Sequence, residues 1–131
     1  MKRTALLHTE LSALVASLGH GDLLVIGDAG LPVPRGVPRI DLAVTAHVPR
    51  MTEVLATVLQ EMAVEGATIA DELPSHSPQV HARVVQLLGT VPVTSMPHEA
   101  FKQAMGSARA VVRTGEFSPY ANVILKAGVV F

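Results

Sequence analysis

Residues 18–34 read LGHGDLLVIGDAGLPVP, and this stretch decides the fold class. Its centre, Leu23 to Ile26, is an aliphatic run that is too short for a helix and is bounded by glycine-containing turns on both sides. Such a run is typical of a buried strand. His20 and Asp28 therefore flank one strand of the predicted sheet.

Helical and strand-like segments alternate on both sides of this strand. Apolar residues recur at helical spacing over 11–18, with Thr9 or Ser12 as the predicted N-terminal cap and Gly19 as the predicted left-handed residue after the helix. Further helices are predicted over 51–62, 78–88 and 98–105, and further strands over 41–45, 67–70, 91–94, 110–113 and 122–130. Residues 31–39 contain three prolines and are predicted to form a loop. This alternation predicts an α/β fold: a single three-layer domain over residues 1–131, with a largely parallel or mixed sheet covered by helices on both faces.

Composition narrows the classes of function. Only 16% of the 131 residues are charged, against about 25% in typical soluble domains, so we expect apolar surface that a partner covers. A net charge of −1 and four aromatic residues give no electrostatic footprint for nucleic acid. No apolar run approaches the roughly 20 residues of a membrane span. The lack of an apolar segment after Lys2 and Arg3 leads us to expect a cytoplasmic protein.

His20 and Asp28 are the first candidate site residues. His20 lies between two glycines, in a turn that can point its side chain into a cleft; alternatively, it caps the preceding helix, whose dipole favours a cation there. Asp28 follows the strand at its carboxyl end, where ligands collect in open α/β sheets. Alternatively, the Asp28 side chain only holds the following turn.

A second candidate region is the loop over residues 115–122, which reads GEFSPYAN. Tyr120 and Asn122 each donate and accept hydrogen bonds, as sugar hydroxyls require of their partners, although a capped turn explains the same residues. A metal site is not expected, because cysteine is absent and the closest histidines, His76 and His81, are five residues apart and do not share a helical face.

Four separated motifs resemble the ribose pyranase and fucose mutarotase family, and they occur in the family's order along the whole chain. The motifs are LGHGD at 18–22, IGDAGLPVP at 26–34, HEAFK at 98–102 and RTGEFSPYAN at 113–122. The second and fourth motifs resemble the ribose group more than the fucose group, although Gly21 and Gly27 replace residues that are often larger in the ribose group.

The resemblance implies an activity, a set of site residues and an assembly. It implies His20 as the catalytic acid/base residue. It also implies binding of D-ribose by six further residues, namely Asp28, His98, Lys102, Tyr120, Ala121 and Asn122. The family's decameric ring, in which sites lie at subunit interfaces and the terminal segment of one subunit completes its neighbour's site, implies a homo-oligomer of this kind.

The implied reaction is the interconversion of the β-pyranose and β-furanose forms of D-ribose. It needs a proton delivered to the ring oxygen while the anomeric hydroxyl loses one, so we expect no cofactor. A histidine, with a reference pKa of about 6.5, suits this task near neutral pH. Two alternatives stay open at this point: a fucose-type mutarotase, and a non-catalytic ribose-binding module associated with sugar uptake.

Overall fold

The computed structural model describes all 131 residues and contains six strands, five α-helices and one short 3-10 helix. The strands are β1 (Leu23–Gly27), β2 (Arg39–Asp41), β3 (Val64–Ala70), β4 (Val93–Met96), β5 (Ala110–Arg113) and β6 (Val123–Ala127). The helices are α1 (Thr9–Ser17), α2 (Met51–Val58), α3 (Leu73–His76), α4 (Pro78–Leu88) and α5 (His98–Ala104), which continues into the 3-10 turn Met105–Ser107. None of the helices is long and apolar enough to cross a membrane.

All six strands form one mixed sheet in the order β2-β5-β1-β6-β3-β4. The β1–β5, β2–β5 and β3–β4 pairs are parallel, whereas β6 runs antiparallel to β1 and to β3. Five strands therefore share one direction and β6 alone is reversed. As a result, the carboxyl ends of β1, β3 and β4 lie at the same sheet edge as the beginning of β6, and we call this the carboxyl edge. The opposite edge is called the amino edge.

Helices cover both faces of the sheet, which confirms the predicted three-layer α/β fold. Strand β1 divides its side chains between the two faces, because successive residues of a strand point in opposite directions. Leu24 and Ile26 join the larger core under α1, α2, α3 and α4. Val25 joins a smaller core under α5, where Phe101 and Met105 are fully buried.

Helix α1 begins and ends differently from the prediction. The Nδ1 atom of His8 accepts a hydrogen bond from the Leu11 N–H at 3.3 Å, so His8 and neither Thr9 nor Ser12 caps the helix. At the other end the helix stops at Ser17 with extended backbone at Leu18, so Gly19 is not the left-handed residue. Gly21 adopts the left-handed conformation instead, with φ of 85°, in the turn just before β1.

Several predicted bounds were wrong for identifiable reasons. The strand expected at 41–45 is β2 at Arg39–Asp41, because the Asp41 carboxylate accepts the Ala43 N–H at 3.0 Å and turns the chain away from the sheet. Helix α2 ends at Val58, four residues early, and α3 was not predicted. The last strand ends at Ala127 rather than residue 130, because its antiparallel neighbours β1 and β3 begin there and offer no further residues for pairing. The bounds of β5 and α4 match the prediction.

Candidate active site

Three polar side chains meet at the carboxyl edge of the sheet because three chain segments begin or end there. Asp28 directly follows β1, Asn122 directly precedes β6, and His98 begins α5 two residues after β4. The Oδ1 atom of Asn122, which is fully buried, accepts a hydrogen bond from the Asp28 N–H at 2.7 Å. The reversal of β6 is what brings residue 122 beside residue 28, across 94 positions of sequence.

Tyr120 enters the same site through a tight turn before β6. Its φ is 60°, and its carbonyl accepts the Asn122 N–H at 2.8 Å, which leaves the intervening Ala121 side chain in the larger core. The tyrosine ring stands edge-on to His98, with ring centroids 5.0 Å apart, and edge-on to His76 at 4.9 Å. Both imidazoles therefore pack against the Tyr120 ring.

Two buried polar atoms of this site have no hydrogen-bond partner within the protein, namely Nδ1 of His98 and Nδ2 of Asn122. Buried polar atoms are paired in the great majority of cases, and an unpaired one carries an energetic penalty of about 1–3 kcal/mol. Both atoms belong to residues at the carboxyl edge of the sheet. The arrangement is therefore suited to a polar ligand that supplies the missing partners.

Asp28 is half-buried at this edge; its side chain holds the following turn, and its role in ligand binding stays a prediction. Its Oδ1 accepts the Gly30 N–H at 2.9 Å, so the side chain does hold the following turn. Burial raises the pKa of the Asp28 carboxyl, although hydrogen bonds, the first of them from Gly30, and the nearby His98 partly oppose this effect. The carboxyl also lines an open cleft of about 360 Å³ between the turn at 28–30 and the loop at 113–119.

The loop over 115–122 is held by a buried carboxylate. Glu116 is 1% exposed and accepts hydrogen bonds from the N–H and hydroxyl of Ser118, from the N–H of Met51 at the start of α2, and from His47. Burial alone would raise the pKa of Glu116, but these hydrogen bonds outweigh it and the pKa lies below the ordinary value. The segment is therefore a firmly capped turn, and it also carries Tyr120 and Asn122 into the site.

Lys102 lies one helical turn after His98 on α5, so the two side chains share a face of the helix. Its Nζ is 2.7 Å from Oε1 of Glu99, and the side chain is about one-third exposed. Lys102 forms no hydrogen bond or ion pair with the other site residues. Its predicted role in binding stays a prediction.

His20 lies at the opposite edge of the sheet from the other site residues of the same chain. It precedes β1 whereas Asp28 follows it, and the strand of five residues alone separates the two by roughly 13 Å at the usual rise per residue. The Nε2 atom of His20 is 2.7 Å from Oε2 of Glu65, and the imidazole is 60% exposed. The alternative in which His20 caps α1 is wrong, because its only side-chain partner is this carboxylate on β3.

Two residues of the carboxyl edge were missed by the sequence analysis. Glu72, just after β3, accepts the His98 N–H with both carboxylate oxygens, at 3.0 and 3.2 Å, and thereby fixes the start of α5. His76, considered only as a metal ligand, instead packs against Tyr120. Glu72 lies two residues after β3, and this position could have marked it as a candidate site residue, since the carboxyl ends of parallel strands collect functional side chains. No group of three or more His, Asp and Glu residues is arranged to hold a metal ion.

Comparison with known proteins agrees with this geometry. The sequence model of the RbsD / FucU transport protein family matches residues 1–130. The chain belongs to this family. A curated relative from Symbiobacterium thermophilum, named D-ribose pyranase, is 53% identical over 131 residues, which cover 100% of both chains.

Two solved structures of the RbsD / FucU family extend the comparison. Bacillus subtilis RbsD complexed with D-ribose superposes with a TM-score of 0.97, 42% identity and 100% coverage of both chains. The fucose mutarotase from Streptococcus pneumoniae in complex with L-fucose superposes with a TM-score of 0.82 and 27% identity, over 95% of this chain and 94% of the other. Both matches far exceed what a shared fold class alone would produce, and the RbsD structure is the more similar of the two.

Proposed function

We propose that this protein is an isomerase that interconverts the pyranose and furanose forms of D-ribose. The observation that carries the proposal is the cluster of Asp28, His98, Tyr120 and Asn122, with two buried polar atoms unpaired, in a chain that is 53% identical to a curated D-ribose pyranase over its whole length. Hydroxyl groups of a sugar both donate and accept, so they can pair with all of these side chains. Ala121, between the two loop residues, would contribute backbone groups.

The chemistry requires one proton carrier and groups that hold the sugar. Ring opening breaks the bond between the anomeric carbon and the ring oxygen, which gains a proton while the anomeric hydroxyl loses one. Rotation about carbon–carbon bonds and attack by a different hydroxyl then close the other ring with the reverse proton movements. Atoms and protons balance within the sugar, and a single acid/base group accelerates such steps by roughly 10²- to 10⁴-fold.

His20 is the proposed acid/base residue, and it must reach the sugar from a second copy of the chain. Within one chain it lies at the amino edge, whereas the binding residues lie at the carboxyl edge. An assembly that joins the amino edge of one copy to the carboxyl edge of the next supplies both halves of a site. A cyclic homo-oligomer closes such head-to-tail contacts, and we propose a decameric ring in the cytoplasm.

Exposed apolar side chains support this assembly. Val129, Val130 and Phe131 at the end of the chain are 43%, 90% and 101% exposed, and Phe117 beside the site is 64% exposed. Light scattering on the purified protein should report a large homo-oligomer. A monomer of 13.8 kDa with full activity would remove the shared site from consideration.

The test of the activity is saturation-transfer NMR on D-ribose, in which the protein should speed exchange between the pyranose and furanose signals. A protein that only binds ribose would leave the exchange rate at its unassisted value. The same measurement on L-fucose tests the alternative of a fucose-type mutarotase. The greater similarity to the ribose complex favours faster exchange for D-ribose at equal concentration, and the reverse order would reject our choice of substrate.

A further inference from the structure

Three ionisable side chains, His20, Glu65 and Lys126, contact one another in a row at the amino edge of the sheet. Oε2 of Glu65 is 2.7 Å from Nε2 of His20, and Oε1 of the same carboxylate is 2.8 Å from Nζ of Lys126. The three residues come from the turn before β1, from β3 and from β6. Each oxygen of the Glu65 carboxylate therefore has one partner, and the middle residue joins the histidine to the lysine.

The backbone fixes the distance between these residues. Strand β6 lies between β1 and β3, so Lys126 faces Leu23 on one side and Gly66 on the other. The Gly21 N–H donates to the Ala127 carbonyl at 2.8 Å, which ties the turn carrying His20 to the end of β6. The backbone of the sheet therefore positions the three residues His20, Glu65 and Lys126 relative to one another.

The other charges near this turn are already occupied. Asp22 accepts the Gly19 N–H at 2.8 Å and Nη1 of Arg109 at 2.6 Å. Glu65 is consequently the only carboxylate that contacts His20, and Nδ1 of His20 has no partner in the protein. Hydrogen bonds from Lys126 and then from His20 hold the pKa of Glu65 below its ordinary value, so this carboxyl is ionised near neutral pH.

A carboxylate can only accept hydrogen bonds, and a neutral imidazole carries a proton on one nitrogen. The proton of neutral His20 is therefore held on Nε2, facing Glu65, and the lone pair is on Nδ1. We propose that Glu65, itself held by Lys126, is a positioning residue that makes Nδ1 the reactive atom of His20. This inference rests on the proposed function, since it assigns the atom through which His20 exchanges protons with the sugar.

The proton movements follow from this arrangement. In the cationic ring Nδ1–H delivers its proton to the ring oxygen as the carbon–oxygen bond breaks, while a solvent water takes the proton of the anomeric hydroxyl. On reclosure the neutral ring takes at Nδ1 the proton of the hydroxyl that attacks the carbonyl carbon, and a water returns a proton to the carbonyl oxygen. Nε2–H stays bonded to Glu65 throughout, and Glu65 neither gains nor loses a proton. In hydrolytic enzymes and in metal sites, a second partner likewise fixes the tautomer and orientation of a functional histidine.

The competing explanation is an ordinary surface ion pair. His20 is 60% exposed and Glu65 is 33% exposed, and exposed pairs of this kind contribute little to stability. A merely structural pair could still bias the tautomer of the ring, but its loss would leave the turnover number unchanged. The turnover number therefore decides between the explanations, and the tautomer reports whether Glu65 directs the ring.

The experiment compares wild type with Glu65→Ala, Glu65→Gln and the control Glu10→Ala, all as the intact oligomer. Glu10 is exposed on α1 and makes no side-chain hydrogen bond. Protein with ¹⁵N-labelled histidine gives the tautomer of His20 from its two ring nitrogen signals, assigned by their loss in His20→Gln. Ribose exchange NMR over a range of sugar concentrations gives kcat and KM separately.

We expect wild type and the control to hold the Nε2–H tautomer and to turn over at the same rate. Glu65→Ala should show a mixture of tautomers and a kcat lower by roughly 10-fold or more, with KM nearly unchanged, because a misdirected ring slows proton transfer without touching the groups that bind sugar. Glu65→Gln should keep the tautomer, since its amide oxygen still accepts from Nε2, and should lose less activity than the alanine variant.

Two results would overturn the proposal: an unchanged tautomer in Glu65→Ala, or an unchanged kcat in that variant. If wild type itself fails to accelerate ribose exchange, the proposed function is rejected, and the tautomer measurement still reports whether Glu65 directs the His20 ring. The two failures are thus distinguishable.

Discussion

The two edges of the sheet differ in burial and in the completeness of their hydrogen bonds. At the carboxyl edge Asn122 is fully buried and two polar atoms lack partners. At the amino edge His20 and Lys126 are more than half exposed, and both oxygens of Glu65 are paired. The first edge is therefore suited to bind a polar ligand that supplies the missing partners. The second presents an imidazole on the surface, where in the proposed assembly a second copy of the chain meets it.

This contrast teaches where each requirement of the reaction is met. Groups that grip a sugar gain discrimination from desolvation and from fixed positions, so they belong next to the core. The proposed acid/base group needs access and an oriented ring, which an exposed turn with one carboxylate partner provides. Because the length of β1 separates the two edges, the proposed mechanism couples activity to assembly.

The largest expected effect is that of His20→Ala. Exchange between pyranose and furanose should fall by roughly 10²-fold or more, because the proton carrier is lost. The fold should persist, since an imidazole that is 60% exposed leaves no core cavity when removed. Sugar affinity should fall only modestly. Near-normal exchange at saturating ribose in a folded, oligomeric variant would instead point to His98 or Lys102 as the acid/base residue.

Mixing two inactive variants tests whether the edges act between copies. His20→Ala damages the amino edge and Asn122→Ala damages the carboxyl edge. If a site combines the two edges of different copies, co-assembled oligomers in equal proportion should regain about a quarter of the wild-type sites, as random pairing predicts. Exchange NMR on the refolded mixture measures the recovery. No recovery in demonstrably mixed oligomers would contradict the shared site.

Asn122→Ala should weaken both stability and binding. The substitution leaves the Asp28 N–H without its acceptor in a buried position, which destabilises the fold by about 1–3 kcal/mol. Ribose affinity should fall at least as much as kcat, because the proposed role of Asn122 is to bind the sugar and not to transfer protons. Urea unfolding and ribose titration measure the two effects. A variant with lowered kcat but wild-type affinity would require a different role for this amide.

The smallest expected effect concerns the pH dependence of stability at Asp28. Its pKa is raised in the folded state, so the folded protein binds the proton more tightly than the unfolded chain, and stability is reduced above the folded pKa and regained as the pH falls through it. Asp28→Asn should therefore raise the unfolding temperature slightly at pH 7 and lose this advantage toward pH 4, while ribose binding weakens.

Glu116 supplies a matched comparison of opposite sign for that measurement. Its pKa is lowered, so its contribution to stability is present above the unfolded value and lost as the pH falls through the folded one. Glu116→Gln should accordingly lower the unfolding temperature at pH 7, with the difference from wild type shrinking in acid. If Asp28→Asn and Glu116→Gln changed the unfolding temperature in the same direction at pH 7, burial and hydrogen bonding would not shift the pKa values of the two carboxyls in opposite directions.

Local sequence patterns predicted much of the fold because local forces decide those elements. The aliphatic run of β1 and the bounds of α4 and β5 were predictable from hydrophobic periodicity and from Pro78 at the start of its helix. The ends of strands and helices that depend on residues far away in the sequence were not predictable in this way. The last strand stops where its antiparallel neighbours β1 and β3 begin, and no pattern within residues 122–130 contains that information.

The sequence by itself determined the α/β class, the chemistry available to the polar residues and, through the resemblance of four motifs, the candidate site residues. Only the tertiary structure decided which of them meet. The reversed direction of β6 places Asn122 beside Asp28 and Lys126 beside Glu65, and the length of β1 keeps His20 away from Asp28. Strand order and direction arise from contacts between residues far apart in sequence, so periodicity along the chain does not encode them in a readable form.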